Sequence, residues 1–175
     1  MAARPDLTQI YRDHHAFVWR IVRRLGVPAS GVDDAVQEVF VVLHRRRAEL
    51  DFSGSVRGLL YGVARRVAKR SRDKATAAAR LRVVGPSTAR DNPEADTATR
   101  QKAEALQAAL EALDEGKRMT FVLADIEGLT MPEVAAAMEV NVNTSYARLR
   151  AARKTLGEAI ARHHAEEEGH VQSGT

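Results

Sequence analysis

Three residues, Glu139, Val140 and Asn141, are all that separate two stretches of helical periodicity in the last third of this chain, and so short a join constrains the fold more than any other feature. Thr130 and Glu133 form a capping box for a short helix whose inward face is Val134, Ala135 and Met138. Asn141 then serves as N-cap of a longer helix starting at Val142. Helices this close must cross sharply, and the small Ala135 and Ala136 suit a close crossing. A short helix, a tight turn and a longer helix form the helix-turn-helix pattern, in which the second helix lies in the major groove of duplex DNA.

The spacing of that second helix divides its residues into two faces. Val142, Ser145, Leu149, Ala152 and Leu156 fall inward, and Asn143, Tyr146, Ala147, Arg150 and Lys154 fall outward. Arg150 suits a bidentate contact to guanine, and Tyr146 and Ala147 suit a thymine methyl or a sugar. Thr144, Arg148 and Arg153 suit phosphates.

Upstream, the period is helical again. Apolar residues at Leu7, Ile10, Tyr11, Phe17, Val18, Ile21, Val22 and Leu25 predict a first helix that Gly26 and Pro28 end. Ser30 is the expected N-cap of a second helix, with Asp33 in its first turn, Val36, Val39, Phe40 and Leu43 as its stripe, and Arg45, Arg46 and Arg47 at its end. A third helix starts near Ser55 and turns Val56, Leu59, Leu60, Val63, Ala64 and Val67 inward. Between about Ala75 and Thr99 the pattern is lost among Gly85, Pro86, Asn92 and Pro93. It returns at Leu106, Leu110 and Leu113, breaks at Gly116, and resumes at Met119, Val122, Leu123 and Ile126. The expected fold is all-α: two small helical domains at 7–75 and 101–163, a flexible linker at 76–100, and an acidic tail at 164–175 carrying Glu166, Glu167 and Glu168.

Charge is segregated along the chain. Its formal net charge is only +4, yet Arg65 to Arg82 holds eight basic residues against the single acid Asp73. Such density repels itself unless an anion relieves it, and nucleic acid is the simplest one. Tyr61 is the aromatic nearest this helix and suits stacking on an unpaired base or a place in the core. Trp19, among Arg12, Arg20, Arg23 and Arg24, reads as an interhelix packing residue. Asp34 and Glu38 lie four apart with Gln37 adjoining, an acidic face fit either for docking or for offsetting the helix dipole.

The run from Val32, Val-Asp-Asp-Ala-Val-Gln-Glu-Val-Phe-Val-Val-Leu, resembles the segment by which sigma-70 family factors grip core RNA polymerase, and the resemblance makes Asp34, Gln37 and Glu38 its polar contacts. Ser55-Val-Arg-Gly-Leu-Leu-Tyr-Gly-Val-Ala-Arg-Arg-Val-Ala-Lys-Arg resembles the family's next segment, which captures and melts the minus-ten element. That likeness assigns Tyr61, Arg65, Arg66, Lys69 and Arg70 to DNA. Asp125-Ile-Glu-Gly-Leu-Thr-Met-Pro-Glu-Val-Ala and Asn143-Thr-Ser-Tyr-Ala-Arg-Leu-Arg-Ala-Ala-Arg are similar to its minus-thirty-five reader. It assigns Asn143, Thr144, Tyr146, Ala147, Arg148, Arg150, Arg153 and Lys154 there. The segments occur in family order, and their compactness points to the extracytoplasmic-function class. Four residues depart from the family pattern: Leu59 stands for its usual Trp, Arg66 for Asn, Ser145 for Val and Tyr146 for a base.

The resemblance implies core RNA polymerase and promoter DNA as partners, with an anti-sigma factor as a further one, and a cytoplasmic place of action. No enzyme, cofactor or metal is expected: the pairs His14–His15 and His163–His164 lack a supporting cluster, cysteine is absent, and no phosphate-cradling loop or nucleophile elbow is visible. Neither export nor membrane insertion is expected, since no run of 18 apolar residues occurs. The competing reading is a stand-alone helix-turn-helix regulator of duplex DNA, which leaves the acidic face and the basic helix unused.

Overall fold

The computed structural model describes residues 6–50, 52, 54–81 and 97–172, with side chains described for 6–50, 52, 54–77, 104–162 and 165. Among these residues all regular structure is helical. The chain divides into two compact units, 1–86 with 132–139 and 87–131 with 140–175.

In the first unit α1 (Leu7–Arg24), α2 (Val32–Arg45) and α3 (Val56–Leu81) each pack against the other two. Asp6 caps α1 by accepting from the Thr8 N–H at 3.0 Å. Gly26, at φ 81°, turns the chain out of that helix in a conformation that suits glycine. The Arg72 guanidinium donates to the Leu25 carbonyl and so satisfies an end that the helix itself leaves open. Ser30 does not cap α2. It lies in a short 3₁₀ turn, Ala29–Gly31, and Gly31 takes the cap position without a side-chain bond. Asp33 and Asp34 in the first turn favour that helix start by their charge instead.

The core of this unit is Phe17, Val18, Ile21, Val22, Val36, Val39, Leu43, Leu60, Ala64 and Val67, all nearly inaccessible to solvent. Each fully buried side chain of Val, Leu, Ile or Phe size contributes about 1.5–3 kcal/mol of burial free energy. Tyr61 and Ala68 are buried with them, so the inward face of α3 is broader than a single stripe, as suits a helix flanked by two others. Leu59, expected inward, is half-buried.

Both described ends of the stretch expected as linker, 76–100, are helical. α3 continues to Leu81 and α4 (Thr97–Glu111) begins at Thr97, leaving 82–96 outside the described residues. The run Ala-Thr-Ala-Ala-Ala-Arg-Leu at 75–81 lacks an apolar period but is rich in the best helix former and free of breakers.

In the second unit α4 and α5 (Glu115–Phe121) pack against α7 (Val142–Gln172). The break between α4 and α5 falls at Asp114, not at Gly116. Asp114 accepts from the Lys117 N–H at 3.0 Å as N-cap, which places Gly116 inside the first turn. Ala109, Leu110 and Leu113 pack with Ala152 and Leu156, and Phe121 and Ala159 close over them. α5 runs into a π-helical turn, Val122–Ile126, in which the Glu127 N–H donates to the Val122 carbonyl at 2.9 Å. α7 runs on to Gln172, so the stretch expected as a tail from residue 164 continues the helix.

Candidate nucleic-acid interface

Three faces carry the residues that the sequence singled out. On α2, Asp34, Gln37 and Glu38 are all exposed, as a docking role requires. Trp19 is half-buried and donates from Nε1 to Asp33 Oδ1 at 3.3 Å, tying α1 to the start of α2; it packs between helices as expected. Beside Gln37 lies a cleft of 570 Å³ whose walls include Tyr11, His15, Phe40 and Val41. Tyr11 and Phe40 meet edge to face at 4.8 Å between centroids. Tyr11, one of the apolar residues that set the period of α1, is 47% exposed, and Val41 is 37% exposed. The signal available for these residues was their excess over the stripe needed to fill the core.

On α3, Arg65, Arg66, Lys69 and Arg70 are exposed. Arg70 reaches back to α2 and pairs with Glu38 at 2.8 Å. Tyr61 does not share this face. It is fully inaccessible, because the helix turns its 60–61, 64 and 67–68 positions toward α1 and α2, so it cannot stack on a base from where it stands.

The third face follows α6 (Met131–Met138), which begins directly after Thr130, as the capping box predicts, and buries Val134, Ala135 and Met138. Glu139 takes a left-handed φ of 57°, and Asn141 caps α7 by accepting from the Asn143 N–H at 2.7 Å. Ser145, Leu149, Ala152 and Leu156 are buried as their spacing requires. Val142, expected inward, is 38% exposed, since the first turn of α7 lies at the edge of the packing. Asn143, Thr144, Tyr146, Ala147, Arg150, Arg153 and Lys154 are exposed, with Tyr146 at 51%.

Two arginines of α7 have internal work. Arg148 is half-buried over the start of α5: a Cβ on Gly116 would lie 3.2 Å from its guanidinium carbon, so the absence of a side chain there makes room for it. Asp114 beside it is held below the usual carboxylate range, chiefly by its hydrogen bonds from Lys117 and to a lesser degree by the Arg148 charge. Arg153 donates from Nε and Nη2 to both oxygens of Asp125 at 2.8 and 2.7 Å. That bidentate bond holds the Asp125 carboxyl below its ordinary range. Tyr146, Arg150, Arg153 and Asp125 line one cleft of 480 Å³ with Thr130 and Leu149.

His14 is half-buried, and its pKa is lowered first by burial and then by the neighbouring Arg57 charge, against a smaller opposing effect of Asp13. Among the described residues no group of three or more His, Cys, Asp or Glu is placed to hold a metal ion; the side chains of His163 and His164 lie outside that set. Nor is any described helix long and apolar enough to cross a membrane.

Two family models match the chain in order: sigma-70 region 2 over residues 10–77 and sigma-70 region 4 over residues 103–156. The chain is 29% identical over 174 residues to the ECF RNA polymerase sigma factor SigE of Mycolicibacterium smegmatis, an alignment covering 94% of this chain and 65% of SigE. It is 27% identical over 158 residues to the RNA polymerase sigma factor CnrH of Cupriavidus metallidurans, covering 85% of this chain and 83% of CnrH. In fold it is similar to CnrH as solved in complex with the cytosolic domain of CnrY, at a TM-score of 0.66 and 24% identity, over 89% of this chain and 88% of that one. It is also similar to the sigma factor RpoE of Bartonella quintana, solved with the anti-sigma factor NepR, at a TM-score of 0.69 and 15% identity, over 88% of this chain and 96% of that one.

Proposed function

This chain belongs to the sigma-70 family of RNA polymerase sigma factors, extracytoplasmic-function class, and we propose that it acts as an alternative sigma factor, binding core RNA polymerase and directing it to a particular set of promoters. The observation that carries this reading is the order of the matches together with what each bears: an exposed acidic face in region 2, an exposed basic helix beside it, and a capped helix with an outward polar face in region 4. Asp34, Gln37 and Glu38 supply the polar part of the polymerase contact, and Tyr11, Phe40 and Val41 supply apolar area at its edge.

Arg65, Arg66, Lys69 and Arg70 hold the phosphates of the minus-ten region while its bases unpair. With Tyr61 in the core, the grip of this helix is electrostatic and sensitive to salt. On α7, Asn143, Tyr146, Ala147 and Arg150 face the minus-thirty-five bases, with Thr144 and Lys154 toward the backbone. Bond formation belongs to the polymerase, and the chain itself is not an enzyme. Its place of action is the cytoplasm, where promoter and polymerase are. An anti-sigma factor is a further partner, a reading supported by the complexes in which its structural relatives were solved.

The test is co-elution of the full chain with bacterial core RNA polymerase, with an Asp34→Arg, Glu38→Arg double variant as control. Co-elution lost in the double variant supports the sigma reading. A wild-type chain that stays apart from competent core enzyme removes it and favours a stand-alone duplex-binding regulator.

A further inference from the structure

Arg153 shares a helical stripe with Tyr146 and Arg150, three and four residues apart, so spacing alone makes it a phosphate ligand on the DNA face. Its guanidinium is nevertheless committed elsewhere. Nε and Nη2, which together form one edge of the fork, both donate to Asp125, so the edge best matched to an oxyanion is filled. A phosphate approaching Arg153 would also meet the Asp125 carboxylate at contact distance, and the pair as a whole carries no net charge.

The position of Asp125 comes from the backbone. It lies within the π-helical turn Val122–Ile126, closed by the bond from the Glu127 N–H to the Val122 carbonyl and followed by one from the Leu129 N–H to the Leu123 carbonyl, both at 2.9 Å. One extra residue in a turn rotates the downstream residues by about 100° relative to an α-helix of 3.6 residues per turn. That rotation lets a residue after α5 face α7 while Leu123 stays fully buried. Asp125 is the more enclosed partner, its side chain 25% exposed against 59% for Arg153, as expected of an anchor and the arm that reaches it.

We propose that Arg153 is a positioning residue: gripped by Asp125, it fixes the reading helix against the π-helical turn and thereby sets the height at which Arg150 and Tyr146 meet the bases, without binding a phosphate itself. The inference rests on the reading of the α7 face as a duplex-DNA surface. In a cleft shared by Asp125, Tyr146, Arg150 and Arg153, it leaves Arg150 as the guanidinium offered to DNA.

Positioning and phosphate binding predict different patterns in one set of variants. The probe is a duplex fragment enriched by the wild-type holoenzyme from a random pool, and the readout is holoenzyme affinity as a function of salt. Under positioning, Asp125→Asn, Arg153→Gln and Arg153→Lys all weaken binding, by about fivefold or more, the low end of what one bidentate base contact discriminates. The salt slope stays as it was, and lysine does not rescue, since it cannot reproduce the fork. If Arg153 were a phosphate ligand, Arg153→Gln would lower the slope by about one, Arg153→Lys would retain most of the affinity, and Asp125→Asn would tighten binding by freeing the arginine. That pattern overturns the proposal.

Amide exchange in the free chain gives a second measurement that needs neither polymerase nor DNA. Glu127 and Leu129 amides exchanging faster in Asp125→Asn and Arg153→Gln are the expected result, and unchanged protection in both variants overturns it. Should wild-type chain fail to join core enzyme, the sigma reading falls, while this exchange comparison still decides whether Arg153 and Asp125 set the turn.

Discussion

Glu38 and Arg70 meet at 2.8 Å in an ion pair that joins the acidic face of α2 to the basic face of α3. Both side chains are about half exposed, and a pair of that kind contributes about 0.2–1 kcal/mol to stability. Arg70→Ala should therefore shift the urea unfolding midpoint by the equivalent of less than about 1 kcal/mol while clearly slowing promoter opening. A double-mutant cycle with Glu38→Gln measures the pair itself. A loss of stability several times larger would mean that Arg70 has a structural task beyond this bond.

Tyr61 offers a sharper choice. As a fully buried aromatic, its replacement in Tyr61→Ala should cost about 3–5 kcal/mol, the range for emptying a large core site, and Tyr61→Phe should retain most of that. An unchanged midpoint in Tyr61→Ala together with lost melting activity would return this residue to the DNA.

Arg150→Ala should leave the midpoint within about 0.5 kcal/mol of wild type, as expected for an exposed position. It should remove discrimination at one promoter base pair worth about 1–3 kcal/mol. Selection of promoter sequences by the variant holoenzyme reads this directly: relaxation confined to one position supports the assignment, and uniform weakening at all positions makes Arg150 a backbone contact.

Asp114 and Asp125 both have lowered carboxyl pKa values, the first chiefly through its bonds from Lys117 and the second through its bond from Arg153. A group depressed in the folded state adds stability that is present above its unfolded value, near 3.8 here, and is lost as pH falls through the lower folded value. The unfolding midpoint should change little on their account between pH 7 and 5 and drop below about pH 4. Asp114→Ala, which also removes a helix cap, should cost about 1 kcal/mol at neutral pH and flatten the acid limb.

His14 works on the same sign in a different window. Its folded pKa lies below the ordinary histidine value of 6.5 because burial and Arg57 disfavour the charged ring. Stability linked to it is complete above that value and declines as pH falls below it toward the folded pKa. Denaturant midpoints taken between about pH 8 and 5.5 should show a step that His14→Gln removes.

The reach of the sequence can be judged residue by residue. Helix existence and the buried positions Phe17, Val39, Val67, Leu149 and Leu156 followed from spacing, because a period of about 3.6 is imposed by the core itself. Asn141 was legible as a cap because a side-chain acceptor two residues before an N–H is a local matter. Ser30 was not, because an intervening 3₁₀ turn moved the helix start, and such a turn leaves no periodicity to read. The end of α3 was missed because alanine carries helix propensity without amphipathicity. The burial of Tyr61 and the bond from Arg153 to Asp125 were not legible for a tertiary reason: the breadth of a buried face and the capture of a charge both depend on the neighbours a helix acquires after folding. Residue types announced the three faces, but which charge would remain available on each was not written in the local sequence.

The α7 surface separates two kinds of change. The side chains of Tyr146, Ala147 and Arg150 stand outside the packed core, while Arg148 lies over α5 and Arg153 grips Asp125. Random substitution along this helix should thus yield two populations. On the proposed reading, changes at 146, 147 and 150 should alter promoter preference at little cost to folding, and changes at 148 and 153 should weaken binding to every promoter alike. On the same reading a lineage rewrites its targets through the first set alone, and promoter preference should drift faster than architecture.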